Sequence, residues 1–184
     1  MIKAVGGLPV SRAATEAHPM FLKTYLELCL LRADPQDLPG SNALAIASLV
    51  AYGLMDVVGV LDIAAPASAL TAAVLDTLML VAATHLALRW RRLENRFSQT
   101  LAALAGCGTV LSLVVWAVAS LAGETIPPEW IWVPYLVWYT VVFGHVLRHA
   151  LSIPMLAGIA ASFTYLMLSL IVIKLFIHPI SIEP

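Results

Sequence analysis

Charge is what this chain has least of. Asp, Glu, Lys and Arg together make up 11% of its 184 residues, against about 25% in an ordinary soluble domain. That scarcity excludes a well-solvated globular surface. It also excludes intrinsic disorder, which needs a polar, charge-rich chain. Basic residues number 10 against 11 acidic ones, a net charge of −1, so there is no dense cationic surface for nucleic acid. Cysteine is nearly absent. Cys29 and Cys107 are too few for a disulfide framework, and each lies where a free thiol packs as a small hydrophobe. No GxSxG, HExxH, P-loop or dinucleotide fingerprint occurs, so nothing points to catalysis or asks for a cofactor.

What is present is apolar. Hydrophobic residues are 61% of the chain, and the mean hydropathy is +0.91. Five long apolar runs, at about 42–63, 66–88, 99–122, 130–149 and 152–177, each come close to the length that crosses a bilayer. The expected fold is therefore all-α: a polytopic bundle of five transmembrane helices over residues 41–184. Ser41 or Asn42 is placed to cap the first span, Pro66 to open the second and Gly123 to close the third. Residues 1–19 lack an apolar core of signal-peptide type and read as a flexible cytoplasmic tail. Residues 20–40 read as an amphipathic interfacial helix, too short to span, followed by a turn. Leu22, Tyr25, Leu26 and Cys29 share helical spacing, Lys23 and Glu27 form an i,i+4 pair, and Pro35, Pro39 and Gly40 should end the helix.

The few cations state an orientation. If the N-terminus is cytoplasmic, nine of the 10 basic residues fall on that side: Lys3, Arg12, Lys23, Arg32, Arg89, Arg91, Arg92, Arg96 and Arg148. Only Lys174 lies toward the other face. The positive-inside rule then predicts N-in, C-out. Trp130, Trp132, Tyr135 and Trp138 at one face and Trp90 at the other suit interfacial aromatic belts.

Ionisable groups inside spans are costly and are the first places to look for function. Asp56 lies in the first span, nine residues before Ala65, and Asp76 in the second, eleven residues after it. At 1.5 Å per residue their depths differ by about 3 Å. Ser48, Tyr52, Asp56 and Gly59 make a polar and small-residue stripe on the first span. Ala69, Ala72, Ala73, Asp76, Ala83 and Thr84 make one on the second. Stripes of this kind face other helices. Two carboxylates meeting at one depth would share a proton and could run a relay. The plainer reading is that each joins two helices through a hydrogen bond, with Tyr52, Thr77 or a backbone carbonyl as partner. Lys174 and Asp62 lie near the outer ends of their spans, where snorkelling of the lysine to the headgroups is simpler than an ion pair.

At the inner side, Arg89, Arg91, Arg92, Arg96 and Arg148 form a basic collar suited to anionic lipid headgroups. His145 and His149 stand at i,i+4, a spacing that can share a metal, but only Glu94 in the loop offers a third ligand, and Arg148 between them opposes a cation. The small-residue pairs Ala102–Gly106, Ala105–Thr109 and Gly108–Ser112 permit close packing on the third span, and Ala43, Ala47 and Ala51 make a similar ridge on the first. Neither ridge says whether its neighbour belongs to this chain or to a partner.

Asp37-Leu38-Pro39-Gly40-Ser41 resembles the Asp-Leu-Tyr-Gly-Pro motif of the Yip1-like family of five-span membrane proteins, with Pro39 in place of the Tyr and Ser41 in place of the Pro. Tyr52-Gly53 is similar to that family's Tyr-Gly element. The resemblance implies five spans, a cytosolic N-terminus and a short C-terminus on the far side. The Ala- and Leu-rich composition and compact loops read as a bacterial inner-membrane protein. Two function classes follow from the residues. Small-residue ridges and minimal loops suggest a non-catalytic scaffold, assembly factor or accessory subunit, with membrane lipids and other membrane subunits or a second copy as partners. Asp56 and Asp76 suggest instead a small proton-linked transporter or lipid-translocating protein. A sealed, dry bundle would favour the first, and a polar cavity reaching both aspartates the second.

Overall fold

The computed structural model describes residues 22–61, 65–123 and 125–177. The 1–19 tail, Asp62 and the last seven residues lie outside them. Every regular element among the described residues is helical. A short helix α1 covers residues 22–29. A 3-10 turn Pro35–Asp37 leads to α2 (Asn42–Val60) and α3 (Pro66–Trp90). A second 3-10 turn, Glu94–Arg96, precedes α4 (Phe97–Ala122), α5 (Pro128–Leu151) and α6 (Met155–Ile177). The five long helices are all long and apolar enough to cross a membrane.

Local chemistry explains the boundaries. The Ser41 hydroxyl accepts the Leu44 N–H at 3.4 Å, as a cap should. Pro66 and Pro128 occupy first-turn positions where a missing N–H costs nothing. Gly123 ends α4 at φ 53°, a conformation that glycine adopts without strain. The helix that was expected to stop at Pro35 stops earlier. Leu31 takes a left-handed conformation (φ 60°), and the Arg32 N–H reaches the Glu27 carbonyl at 2.8 Å. That is a Schellman cap, so backbone geometry ends α1 before the prolines are reached. Arg92 and Ser152 end α3 and α5 in the same way, with Leu93 N–H on Leu88 O and Ile153 N–H on Arg148 O.

Helix contacts run α2–α3, α3–α6, α6–α5, α5–α4 and α4–α2, which closes a ring. Lipid tails are as apolar as leucine, so close packing and polar contacts rather than apolar burial must hold such a ring together. The outward faces carry Leu54, Leu78, Val137 and Leu168, all exposed and apolar. α4 is the most enclosed helix, buried at every position from Thr100 to Gly108. Gly106 and Gly108 explain how. They stand about 200° apart around the helix and so face opposite sides. A Cβ on Gly106 would lie 2.2 Å from the Tyr25 ring of α1, and one on Gly108 would lie 2.6 Å from the Tyr52 ring of α2. The neighbours of this small-residue ridge therefore belong to the same chain.

α1 shows the expected Lys23–Glu27 pair, at 3.6 Å. Its buried face of Tyr25, Leu28 and Cys29 is pressed onto the bundle. Tyr25 reaches Ser48 of α2 at 2.8 Å. Trp138 donates its indole N–H to the Cys29 carbonyl at 3.1 Å, while its ring stays exposed. Gln99 donates to the Gln36 carbonyl at 3.1 Å and also to that of Leu38. The α5–α6 crossing is close because Gly144 and Gly158 face each other, with the Gly144 carbonyl 2.3 Å from where a Gly158 Cβ would stand. Gly158 is thus a packing position inside an unbroken helix.

Candidate functional site: a polar cavity between five helices

α2 and α3 pack against each other, and Asp56 and Asp76 come to line one cavity. Asp76 is almost fully buried, at 3% exposure. Its carboxylate accepts from three hydroxyls. Tyr52 of α2 donates to Oδ2 at 2.5 Å, and from α6 Tyr165 donates to Oδ1 at 3.3 Å and Ser169 to the same oxygen. One side chain on α3 thus fastens two further helices. The Tyr52 stripe is used as the sequence implied: Tyr52 joins Asp76 of the neighbouring helix across the interface. Thr77 is not the partner. Its hydroxyl lies against Gly53 of α2 instead.

Asp56 differs from Asp76 in one respect. Its Oδ2 is shielded from solvent and has no hydrogen-bond partner. Both carboxylates line one cavity of about 590 Å³. All five long helices contribute to its wall, which runs from the level of Tyr52 to Val60, the last residue of α2. Six aromatic side chains line it: Tyr52, Trp116, Trp132, Tyr135, Tyr139 and Tyr165. Ser112, Ser120 and Ser169 add hydroxyls. Ser112 and Tyr135 are joined at 3.2 Å. Among the described residues, no Lys, Arg or His lines it.

The cavity ends on packed aromatic rings. Tyr139 stacks on Phe143 at 4.0 Å, and Phe143 faces Tyr165 at 6.5 Å in near-parallel planes. Beyond them lies a second cavity of about 540 Å³, apolar and lined by Leu80, Leu104, Leu147 and Leu168 among others. Phe143 lines this inner cavity, and Tyr165 lines both.

Tyr139, Tyr165 and Ser169 join the site without having been singled out from the sequence, and Tyr135 was expected only in the aromatic belt. A signal existed: Tyr165 and Ser169 are hydroxyls one turn apart on an otherwise apolar span, and Tyr135 and Tyr139 repeat the same spacing on α5. Trp132 and Tyr135, expected in a lipid-facing belt, face the cavity. Trp90 and Trp130 remain exposed, at 84% and 73%, as interfacial anchors should be. Lys174 is exposed in the last turn of α6, as snorkelling requires.

The basic collar divides. Arg89, Arg92 and Arg148 are exposed. Arg91 donates through Nε to the Leu151 carbonyl at 3.3 Å, and Arg96 donates to the His149 and Ala150 carbonyls at 3.2 and 3.3 Å. These two arginines cap the negative end of α5, where cations are favoured. The histidine pair also gains a neighbour that the sequence did not suggest. Asp34, not Glu94, meets it, with Oδ1 at 3.4 Å from His149 Nδ1.

The chain matches no protein-family model, no curated protein and no solved structure.

Proposed function

We propose that this membrane protein is a small proton-linked transporter whose solute is an organic cation, held in the cavity by Asp56 and Asp76. The observation that carries this reading is one cavity within a membrane-spanning bundle that holds two carboxylates, six aromatic rings and, among the described residues, no basic side chain. Carboxylates removed from water require neutralisation. An ammonium group offers it directly, and its alkyl or aryl body suits tyrosine and tryptophan faces through cation–π attraction. A proton shared by the two acids offers the same neutralisation when the solute is gone, so exchange of cation for proton is the natural cycle. The aromatic stack of Tyr139, Phe143 and Tyr165 is the barrier that such a cycle must open. The N-terminus is taken as cytoplasmic in a bacterial inner membrane, which puts the polar cavity on the outer side.

The test is flux. In proteoliposomes with an imposed pH gradient, uptake of a fluorescent organic cation should follow the proton gradient in the native protein. It should fall to the empty-liposome level in Asp76→Asn and Asp56→Asn, with both variants eluting as the native protein does on gel filtration. Native flux in both variants would reject the proposal.

The accessory-subunit reading retains one supporting observation. Ala43 and Ala47 lie exposed on α2, a small-residue ridge open to another helix. Cysteine cross-linking between copies at Ala47 would support self-association, and it leaves the flux assay to decide transport.

A further inference from the structure

Three ligand-type side chains outside the cavity meet at the opposite end of the bundle. His145 and His149 lie one turn apart on α5, with ring centroids 4.6 Å apart. Asp34 arrives from the segment between α1 and α2. One ligand atom from each of the three lies within 4.8 Å of the other two. Ligand atoms around a tetrahedral ion at about 2.1 Å stand about 3.4 Å apart. The Asp34–His149 pair is already at 3.4 Å, and the other pairs, within 4.8 Å, close on the ion by rotation of the side chains.

The surroundings suit a ligand set. His145 Nε2 is 3.0 Å from the Ala33 carbonyl. A neutral imidazole that gives its Nε2–H to that oxygen keeps its lone pair on Nδ1, and a backbone carbonyl in this position is what orients metal-bound histidines. Asp34 is held in place by its own N–H, which donates to the Asp37 carboxylate at 2.9 Å. Of the cations nearby, Arg96 is taken up by the His149 and Ala150 carbonyls, while the exposed Arg148 bears on His149 and opposes a bound cation. The Asp34 side chain is half-exposed, which leaves a path for an ion.

We infer that Asp34, His145 and His149 bind one divalent transition-metal ion of the zinc class. Two imidazoles select such an ion over magnesium or calcium, which prefer oxygen ligands. Three protein ligands leave a fourth position for water. The ion ties the segment after α1 to α5. That segment follows directly on α1, whose Tyr25 packs on Gly106 and reaches Ser48, so the metal steadies the docking of α1 on α4. The site is separate from the cavity and does not depend on the transport reading.

The test uses the full chain in detergent, stripped with a chelator and then titrated with Zn2+ and, separately, with Co2+. The native protein should take up one equivalent, give a visible Co2+ absorption band, and show a thermal midpoint that rises with Zn2+. Asp34→Asn and His149→Gln change partly exposed side chains. Each should lower the affinity at least tenfold and remove the Zn2+-dependent rise while keeping the native elution volume. Uptake and thermal response unchanged in both variants would overturn the proposal. So would a native protein that takes up no metal, with Asp34 and His149 then forming an ion pair only.

Discussion

Tyr52 of α2 and Asp76 of α3 are joined by a hydrogen bond of 2.5 Å between side chains 24 residues apart. Tyr165 and Ser169 of α6 complete the same carboxylate. The pair is therefore both a helix fastener and part of the cavity wall, and the two roles separate by mutation. Asp76→Asn keeps an acceptor oxygen and the volume, so it should fold with a modest loss of thermal stability while abolishing cation flux. Asp76→Leu leaves three hydroxyls without their acceptor in a buried site. At about 1–3 kcal/mol for each unsatisfied group, it should fail to accumulate or melt far below the native protein. Thermal melts in detergent read the first effect and proteoliposome flux the second.

The three donors should not act independently. Tyr52→Phe and Ser169→Ala each remove one hydrogen bond and should each cost about 1 kcal/mol. They share one carboxylate, so the double variant should depart from additivity by 0.5 kcal/mol or more, on the order seen for coupled neighbours. A double-mutant cycle on denaturation free energies checks this. Strict additivity would mean that the donors do not share an acceptor in the membrane.

Gly106 decides whether α1 stays docked. A methyl group there would strike the Tyr25 ring, in the middle of the buried face by which α1 docks. Gly106→Ala should release α1 and leave the bundle intact. Cys29 reports the change. It is 6% exposed in the docked state, so it should resist a water-soluble maleimide in the native protein and react readily in the variant. Cys107, buried in α4 at 0% exposure, should stay unreactive in both.

Ser152 ends α5 with φ 53° and ψ 53°. A residue with a Cβ bears about 1–2 kcal/mol of strain in that region, and glycine bears little. Ser152→Gly loses a weak contact with the Arg96 guanidinium at 3.4 Å. The net expectation is a gain of about 0.5–1 kcal/mol, seen as a higher thermal midpoint.

Orientation is open to direct labelling. Single cysteines replacing Glu94 and Thr125 sit in the loops at opposite ends of the bundle. In intact cells an impermeant maleimide should label the Thr125 position alone, and lysis should add the Glu94 position. The reverse pattern would invert the topology and put the polar cavity on the cytoplasmic side.

Much of the architecture was written in one-dimensional features. An apolar run of span length bounded by Pro, Gly or a hydroxyl cap is a local property, so the expected spans agree with Asn42–Val60, Pro66–Trp90, Phe97–Ala122, Pro128–Leu151 and Met155–Ile177 to within a few residues. The common depth of Asp56 and Asp76 was legible for the same reason. They flank one short turn, and helical rise converts residue count to distance. α1 illustrates the limit. Its amphipathic spacing was readable, but Gly106, which receives it, lies 81 residues after Tyr25, and no periodicity joins the two.

By itself, then, the sequence determined that this is a five-span membrane protein and which few polar groups it carries into the bilayer, because helix length, hydropathy and end caps act through near neighbours along the chain. The tertiary structure alone decided what those groups meet. The ring order of the helices brings Tyr165 and Ser169 of α6 to Asp76, leaves Asp56 Oδ2 without a partner, and opens a cavity where a tighter bundle would have none. It also carries Asp34 from before the first span to His149 at the end of the fourth. The physical reason is that such contacts depend on how rigid helices pack around one another, which is set by all the interfaces together and not by any one segment of the chain.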